Sequence, residues 1–238
     1  MTVESAVRIA SLFPEILGTY GDGGNVLVLQ RRLLWRGLAV EVVPVPLGGA
    51  IPGECDLYVI GGGEDDAQLA VLESLRSTTA LRRAVTRDVP VFAVCAGLQL
   101  LGRTFALRNG EVHVGLDLLD VTTTRLRDRA VGEVVARPAP DLGITDLTGF
   151  ENHGGRTVIG PAARRLAQVV KGVGNGGPGR DEGALQGSIV ATYLHGPVLA
   201  RNPDLADVLL SRATGQQLEP LDLPDVTALR RDLLAAGK

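Results

Sequence analysis

The sequence predicts an α/β protein with a mostly parallel central sheet flanked by helices, together with an antiparallel extension. Up to residue 102, short apolar runs rich in β-branched residues alternate with amphipathic helical stretches. This alternation is typical of β-α-β units, in which helices cover both faces of a parallel sheet. After residue 102 the helical pattern stops, and short strand-like segments joined by polar turns follow. These segments indicate the antiparallel extension.

The first half of the chain contains four predicted strands, at residues 7–13, 39–45, 55–60 and 89–95. A helix follows the first strand, because apolar side chains recur there at helical spacing. We expect Val26, Leu29, Leu33 and Leu34 on its buried face, Gln30, Arg31, Arg32 and Arg36 on its outer face, and Gly37 at its end. A second, mostly helical stretch covers residues 67–86, and a third begins after residue 95.

The second half contains predicted short strands at residues 112–114, 118–121 and 132–136, and a buried strand at 188–194. Residues 149–156 form a glycine-rich polar segment, and the seven glycines within 171–187 predict an exposed loop. Helices are expected at 202–210 and 225–236. We therefore expect a single domain over residues 1–238, with a core at about 8–210 and a C-terminal helical tail at 216–238.

Composition excludes several classes of function. The 238 residues carry a net charge of −3 and 3% aromatic residues, with no basic patch, which disfavours nucleic-acid binding. The start of the chain has no leader pattern, and no apolar run is long enough to span a membrane. Cys55 and Cys95 lie in no Cys-x-x-Cys motif, and the three histidines have no zinc-site spacing. These features predict a metal-free protein of the reducing cytoplasm.

Cys95 is the first candidate catalytic residue. It ends an apolar strand, small residues follow it, and a helix-like run continues to Gly102. A strand–turn–helix with a nucleophile at its apex is a nucleophile elbow, and the helix N-terminus beside the thiol favours the thiolate. The alternative is a buried structural cysteine, which is common in intracellular proteins.

His195 is the second candidate, because it also follows a buried strand. Ligand sites in open parallel sheets collect at the carboxyl ends of the strands, so Cys95 and His195 are expected to meet there. A Cys–His pair is suited to acyl transfer through a thioester. The oxyanion that forms needs N–H donors, and the candidates are Ala96 and the glycines of the turn after the third strand, Gly62 and Gly63 in particular.

The segment Ala93-Val94-Cys95-Ala96-Gly97-Leu98-Gln99 resembles the nucleophile elbow of the class I glutamine amidotransferases, which have a flavodoxin-like fold. Three further motifs narrow the resemblance to the cobyric-acid-synthase-like branch. Within that branch they are similar to GatD-like glutaminase subunits of lipid II isoglutaminyl synthases. These motifs are Tyr20-Gly21-Asp22-Gly23-Gly24-Asn25, Glu151-Asn152-His153-Gly154-Gly155-Arg156 and Thr192-Tyr193-Leu194-His195-Gly196-Pro197.

The resemblance implies that the chain hydrolyses L-glutamine through a Cys95 thioester with His195 as the base. It implies that ammonia passes to a Mur-ligase-like (MurT-like) subunit in a heterodimer, which amidates the D-glutamate of lipid II to D-isoglutamine. ATP and Mg²⁺ are then expected on that partner, and no cofactor on this chain. Arg129 is implied as the residue that holds the glutamine carboxylate, although it also fits a solvated arginine; Gln99 is expected to line the pocket or to cap the elbow helix.

The sequence departs from the class I pattern after His195. Class I enzymes usually have a glutamate two residues after the histidine, and this position is Pro197 here. The group that orients the imidazole is therefore missing from its usual place. We expect the partner subunit to supply this carboxylate, with Glu151 as a local candidate. His153 and Asn152 are expected to support the site, or only to hold their turn. Asp22 and Asn25 fit either helix capping or a loop that reaches the site or the partner.

Two alternatives remain open from the sequence. One is an amidotransferase for a cobyrinic or cobyric acid precursor, although proteins of that kind carry a fused synthetase domain and no phosphate-binding loop motif occurs here. The other is a non-catalytic scaffold of a synthetase complex. The presence of both Cys95 and His195 argues against the scaffold.

Overall fold

A computed structural model describes residues 5–236, and two β-sheets with flanking helices make up this part of the chain. The sheets separate along the sequence, because the first takes its central strands from residues 7–94 and the second from residues 104–182. The chain then returns to the first sheet. No helix within the described residues has the length and apolar character needed to cross a membrane.

In the first half of the chain the elements are β1 (Val7–Leu12), α1 (Gly23–Leu34), β2 (Val40–Val45), β3 (Leu57–Ile60), α2 (Asp65–Arg76), α3 (Ala80–Thr86), β4 (Val91–Val94), α4 (Ala96–Leu101), β5 (Thr104–Ala106) and β6 (Val112–Val114). They are followed by β7 (Val121–Pro138), β8 (Leu147–Ile159), β9 (Ala167–Lys171), β10 (Asp181–Glu182), β11 (Ala184–Gln186), β12 (Ile189–Thr192), α5 (Val198–Arg201), α6 (Pro203–Thr214) and α7 (Pro224–Ala236).

The first sheet has the strand order β11-β12-β4-β3-β1-β2, and every pairing in it except β11 with β12 is parallel. The predicted, mostly parallel sheet is therefore confirmed. All residues of β3, β4 and β12 are buried, as expected for strands covered on both faces. Thr192 lies opposite Val94 at the ends of two neighbouring parallel strands, so the residues that follow them emerge at the same edge.

The second sheet has the order β10-β9-β7-β5-β6, and β8 pairs with β7. It corresponds to the predicted antiparallel extension in every pairing except that of β5 with β7, which is parallel, and its division into strands also differs from the expectation. Residues 132–136 form a strand as expected, but they belong to a single strand of 18 residues, β7. The separate strand expected at 118–121 is wrong, because residues 118–120 lie outside any strand. A register shift between Arg125 and Ala130 interrupts the alternation of β7, so the strand has no continuous period in the sequence.

The exposed loop predicted at 171–187 is wrong for its second part, which contains β10 and β11, whereas residues 172–180 form a loop in which Asn175 is buried. The Asn175 side chain closes the turn: its Nδ2 donates to the Gly183 carbonyl at 3.0 Å, and its Oδ1 accepts the Gly183 N–H at 2.8 Å. Gly183 has a φ of +61°, a left-handed conformation that glycine adopts readily. The glycine is therefore explained by this backbone conformation and does not indicate an exposed loop.

Helix α1 buries Val26, Leu29 and Leu33, but its outer face differs from the prediction. Leu34 is 46% exposed, whereas the side chain of Arg32 is buried. Arg32 Nε donates to Asp207 of α6 at 2.7 Å, and Arg36 Nη2 donates to the same carboxylate at 2.8 Å. The packing of α6 on α1 therefore turned a predicted outer face into an interhelical ion-pair network.

Replacing Arg32 with alanine is expected to lower the free energy of unfolding by about 3 kcal/mol, because it leaves a partly buried carboxylate with one cation fewer. Urea denaturation followed by circular dichroism measures this change. Arg31→Ala, on the exposed face of the same helix, is the matched control and should change stability by less than about 0.5 kcal/mol. Equal effects of the two substitutions would contradict a structural role of the Arg32–Asp207 pair.

Candidate active site

Cys95 occupies the turn between β4 and α4, as the sequence predicted. Its backbone has φ 52° and ψ −104°, a strained conformation for a non-glycine residue and a feature of a nucleophile elbow. Its N–H donates to the Thr192 carbonyl at 2.8 Å, which ties the turn to β12. A Cβ at Gly97 would stand 2.9 Å from the Ile60 carbonyl oxygen, so only glycine lets α4 pack this closely on β3.

His195 follows β12 and is completely buried. Its backbone N–H donates to the Phe150 carbonyl at 2.8 Å, and its carbonyl accepts the Phe150 N–H at 3.3 Å. Strand β8 of the second sheet therefore holds the histidine backbone in place. The ring of Tyr20 contacts the imidazole edge-on, with centroids 5.1 Å apart.

The space beside Gly62 shows that the structure brings Cys95 and His195 together. A Cβ at Gly62 would lie 2.8 Å from His195 Cε1, 3.1 Å from Cys95 Cβ and 3.0 Å from Asp22 Oδ2. These three side chains thus converge on one point, where no side chain at position 62 fits. The Gly-Gly-Gly turn after β3 leaves room for the three groups to meet.

Asp22 is the functional residue that the sequence reasoning did not assign. Its two carboxylate oxygens each lie 3.0 Å from His195 Nδ1, and Oδ2 also accepts the Gly62 N–H at 2.8 Å. The carboxylate expected from a partner subunit is therefore supplied by this chain. Glu151, the other local candidate, accepts the N–H groups of Val173 and Gly174 at 2.8 Å and lies in β8 of the second sheet.

The sequence could have indicated this role of Asp22, because the residue lies in the Tyr20–Asn25 motif. Helix capping, however, explained an acidic residue at this position equally well. The structure excludes side-chain capping of α1 by Asp22. Asn25 does not reach the catalytic groups either: its Oδ1 accepts the Leu199 N–H at 2.9 Å and joins α1 to α5.

The protonation of His195 follows from these contacts. Burial lowers the pKa of the imidazole, but the hydrogen bond with Asp22 and the neighbouring Cys95 more than offset this effect and raise the pKa to about 10. Nε2 has no hydrogen-bond partner among residues 5–236, which leaves this nitrogen available for proton transfer at the thiol. At neutral pH the site therefore favours an imidazolium beside the cysteine.

The candidate oxyanion donors are not equivalent. The Gly62 N–H is already engaged by Asp22, so its expected role as an oxyanion donor is wrong: it orients the carboxylate. Gly63 lines the pocket beside Cys95, and Ala96 directly follows the nucleophile at the start of α4. Their backbone N–H groups are the two remaining candidates for stabilising a developing oxyanion.

A pocket opens above Cys95 and His195, and Arg129 lies on its wall. The Arg129 side chain is 35% exposed and lies 3.8 Å from Glu64. Its Nε donates to the side-chain oxygen of Asn152, and its Nη2 donates to the backbone oxygen of Asn152. Nη2 also donates to the Tyr20 hydroxyl at 3.3 Å. The guanidinium is thus held at the pocket by the neutral Asn152 and Tyr20 and by an ion pair with Glu64, and its N–H groups can also donate to a carboxylate.

Gln99 and His153 also line the pocket, and both side chains are held by contacts with buried residues. Gln99 accepts a hydrogen bond from Gln68 at 2.8 Å and donates to the Tyr193 hydroxyl at 3.0 Å. The His153 ring stacks on Tyr193 with centroids 3.9 Å apart, and its Nδ1 lies 3.0 Å from the Gly155 carbonyl oxygen. These contacts place Gln99 and His153 in a buried polar network behind the pocket.

The arrangement can perform acyl transfer. It provides a cysteine at an elbow, a neighbouring histidine whose Nε2 has no hydrogen-bond partner among residues 5–236, a carboxylate bonded to the histidine ring, and N–H groups for an oxyanion. No group of three or more His, Cys, Asp or Glu side chains suited to a metal ion occurs in residues 5–236.

Comparison with known sequences agrees with this geometry. Residues 8–203 match the family described as the CobB/CobQ-like glutamine amidotransferase domain. The chain is 34% identical over 222 residues to the lipid II isoglutaminyl synthase (glutamine-hydrolyzing) subunit GatD of Staphylococcus aureus, covering 92% of this chain and 89% of that protein. It is 32% identical to the protein of the same name from Streptococcus pneumoniae, over 87% and 80% of the two chains. A cobyric acid synthase of Pelotomaculum thermopropionicum is 36% identical over 60% of this chain and 30% of its own length.

Solved structures show the same fold. A glutamine amidotransferase from Thermotoga maritima superposes with a TM-score of 0.57 at 17% identity, covering 98% of this chain and 95% of that one. The glutaminase domain of CTPS from Trypanosoma brucei, solved with bound acivicin, gives a TM-score of 0.56 at 14% identity, over 90% and 96% of the two chains. The flavodoxin-like fold expected from the sequence is therefore confirmed.

Asp22→Asn tests the role of the carboxylate, since asparagine still accepts the Gly62 N–H but carries no charge. We expect the substitution to lower the pKa of His195 by roughly 1 to 3 pH units, because it removes an adjacent negative charge. NMR titration of the histidine ring protons measures this change, with His113→Gln as an aid to assignment. Iodoacetamide should also alkylate Cys95 more slowly at pH 8 in Asp22→Asn. An unchanged titration would refute this assignment of Asp22.

Proposed function

Because the chain belongs to the CobB/CobQ-like glutamine amidotransferase family, we propose that it is the glutamine-hydrolysing subunit of a lipid II isoglutaminyl synthase. The observation that carries this proposal is the convergence of Cys95, His195 and Asp22 beside Gly62. The similarity to the two GatD proteins, which extends over most of each chain, supports the choice of this reaction. The cobyric acid synthases match a smaller part of the chain.

In the proposed mechanism, L-glutamine enters the pocket with its carboxylate on Arg129. The guanidinium can offer two parallel N–H donors, which suits a carboxylate better than a single ammonium does. The side-chain amide then points to the base of the pocket, where Cys95 and His195 lie. Substrate binding replaces the present contacts of Arg129 with Tyr20 and Asn152 in part, so these residues define the mouth of the site.

The Cys95 thiolate attacks the amide carbon, and the N–H groups of Gly63 and Ala96 stabilise the oxyanion. The His195 imidazolium donates its proton to the leaving nitrogen, the C–N bond breaks, and ammonia leaves a glutamyl thioester on Cys95. Neutral His195 then takes a proton from water, which attacks the thioester and releases glutamate. Asp22 holds the imidazole in one orientation and stabilises its positive charge in both steps.

The ammonia acceptor lies on a partner subunit in this proposal. A Mur-ligase-like protein would use ATP and Mg²⁺ to activate the α-carboxylate of D-glutamate in lipid II, and ammonia would convert it to D-isoglutamine. The two GatD relatives are named as subunits of a lipid II isoglutaminyl synthase. The complete Cys95–His195–Asp22 set within this chain supports hydrolysis of glutamine by the isolated subunit as well as by the complex.

Cys95→Ala should abolish glutamate release from glutamine, whereas Cys55→Ala, at the other buried cysteine, should retain it. With [amide-¹⁵N]glutamine and the purified complex, the label should appear in the D-isoglutamine of lipid II. In the complex that carries Cys95→Ala, added ammonium should restore amidation, because only the ammonia supply is lost. Glutamate release by folded Cys95→Ala at the wild-type rate would refute the nucleophile; labelled ammonia without amidated lipid II would refute the acceptor.

Arg129→Gln should raise KM for glutamine roughly tenfold to a hundredfold with a smaller change in kcat, because it removes a charge-assisted contact with the substrate. Steady-state assays of glutamate release measure both constants. Arg127→Gln is the matched control, since Arg127 is an exposed residue of the same strand and does not line the pocket. If both variants have the wild-type KM, Arg129 does not bind the substrate.

A further inference from the structure

Thr192, the last residue of β12, makes hydrogen bonds with the backbone of Cys95 and with the backbone of Leu194, the residue before His195. Its carbonyl oxygen accepts the Cys95 N–H at 2.8 Å. Its hydroxyl oxygen accepts the N–H of Leu194, the residue before His195, at 3.0 Å. The same hydroxyl donates to Oε1 of Glu182. One threonine therefore connects the nucleophile turn, the histidine turn and a buried acidic residue.

Glu182 holds the end of β12 through two contacts. Its Oε1 accepts the Thr192 hydroxyl and also the Tyr193 N–H, the latter at 3.0 Å. The carboxyl group is completely buried, and its Oε2 has no hydrogen-bond partner among residues 5–236. The backbone at Gly183 is held by Asn175, so the short strand that carries Glu182 is itself anchored.

Glu182 lies at a buried position, where a carboxyl group lowers the stability of the fold. Burial raises the pKa of its carboxyl group to about 7, although the Thr192 and Tyr193 contacts act in the opposite direction. The charged group that also faces it is Glu151 of β8, which raises the pKa further. A buried acid without a cationic partner costs stability. Stability alone therefore does not account for a carboxyl group at this position.

We propose that Glu182 is a positioning residue for the Cys95–His195 pair and acts through the Thr192 hydroxyl. The hydrogen bond fixes the rotamer of Thr192, so that its hydroxyl lone pair faces the Leu194 N–H and the turn that carries His195 keeps its path. The Thr192 carbonyl at the same time holds the Cys95 turn. This inference rests on the proposed glutaminase reaction for its kinetic test. Its geometry is independent of the ammonia acceptor.

The geometry makes different demands on the two residues. Glu182 needs only an acceptor at the Oε1 position, so glutamine, which keeps a carbonyl oxygen there, should replace it. Methionine has a similar length and offers no oxygen acceptor. Thr192 needs its hydroxyl both to donate and to accept, so serine should replace it and valine should not.

The test compares glutamine hydrolysis by the full chain carrying Glu182→Met, Thr192→Val, or both. Each single substitution should lower kcat about 100-fold with KM little changed, because the pocket is intact but the reacting groups are displaced. The double variant should lose no more than the single variants, since both remove the same link. Glu182→Gln and Thr192→Ser should retain most of the wild-type kcat.

Thr148→Val is the matched control for loss of a buried hydroxyl. Its hydroxyl accepts from Arg201 at 3.1 Å and does not contact Thr192, so kcat should stay at the wild-type level. If Glu182→Met does not fold, the comparison of Thr192→Val with Thr192→Ser decides the question. Wild-type kcat in folded Thr192→Val, or additive losses in the double variant, would overturn the proposal.

A second readout separates this inference from the proposed function. In a Cys55→Ala background, iodoacetamide alkylation of Cys95 reports how the thiol is held beside His195 and needs no glutamine turnover. The rate at pH 7 should fall in Thr192→Val and recover in Thr192→Ser. If the wild-type chain releases no glutamate while this pattern holds, the proposed function fails and the positioning role stands. An equal alkylation rate in all variants would overturn the positioning role.

Discussion

The carboxylate of Asp22 lies between the Gly62 N–H and the His195 imidazole, and the site depends on this buried contact. It joins three segments that are distant in sequence: the loop before α1, the turn after β3 and the end of β12. A buried carboxylate is costly unless it is hydrogen-bonded and paired with a positive charge, and both conditions are met here. The contact therefore makes the fold of these segments and the protonation of the histidine dependent on each other.

The two sheets contribute different parts of the site. The first sheet supplies the reacting groups, because the parallel pairing of β4 with β12 brings Cys95 and His195 to one edge. The second sheet supplies the pocket wall through Arg129 and Asn152, and its strand β8 binds the His195 backbone through Phe150. In the proposed function, substrate recognition by Arg129 and the chemistry at Cys95 and His195 are thus assigned to different sheets, which meet where His195 pairs with Phe150.

Local sequence patterns were sufficient for the elbow and for the strand that carries His195, because each is specified within about ten residues by apolar runs and small residues. They were insufficient for the outer face of α1, where Arg32 is buried against Asp207. A charged residue at an outward position gives no sign of a partner 175 residues away. Strand β7 was divided wrongly for a similar reason, since its register shift removes the regular alternation that identifies a strand.

The sequence by itself determined the parallel sheet, the thiol at its elbow and the histidine at the end of a neighbouring strand, because short-range periodicity and turn residues encode these features. Only the tertiary structure decided which carboxylate orients His195. Asp22 and His195 are 173 residues apart in the sequence. The position two residues after the histidine, where class I enzymes have a glutamate, is Pro197. A hydrogen bond between distant segments depends on how the strands are ordered in space, and that order is set by packing of the whole sheet rather than by any local pattern.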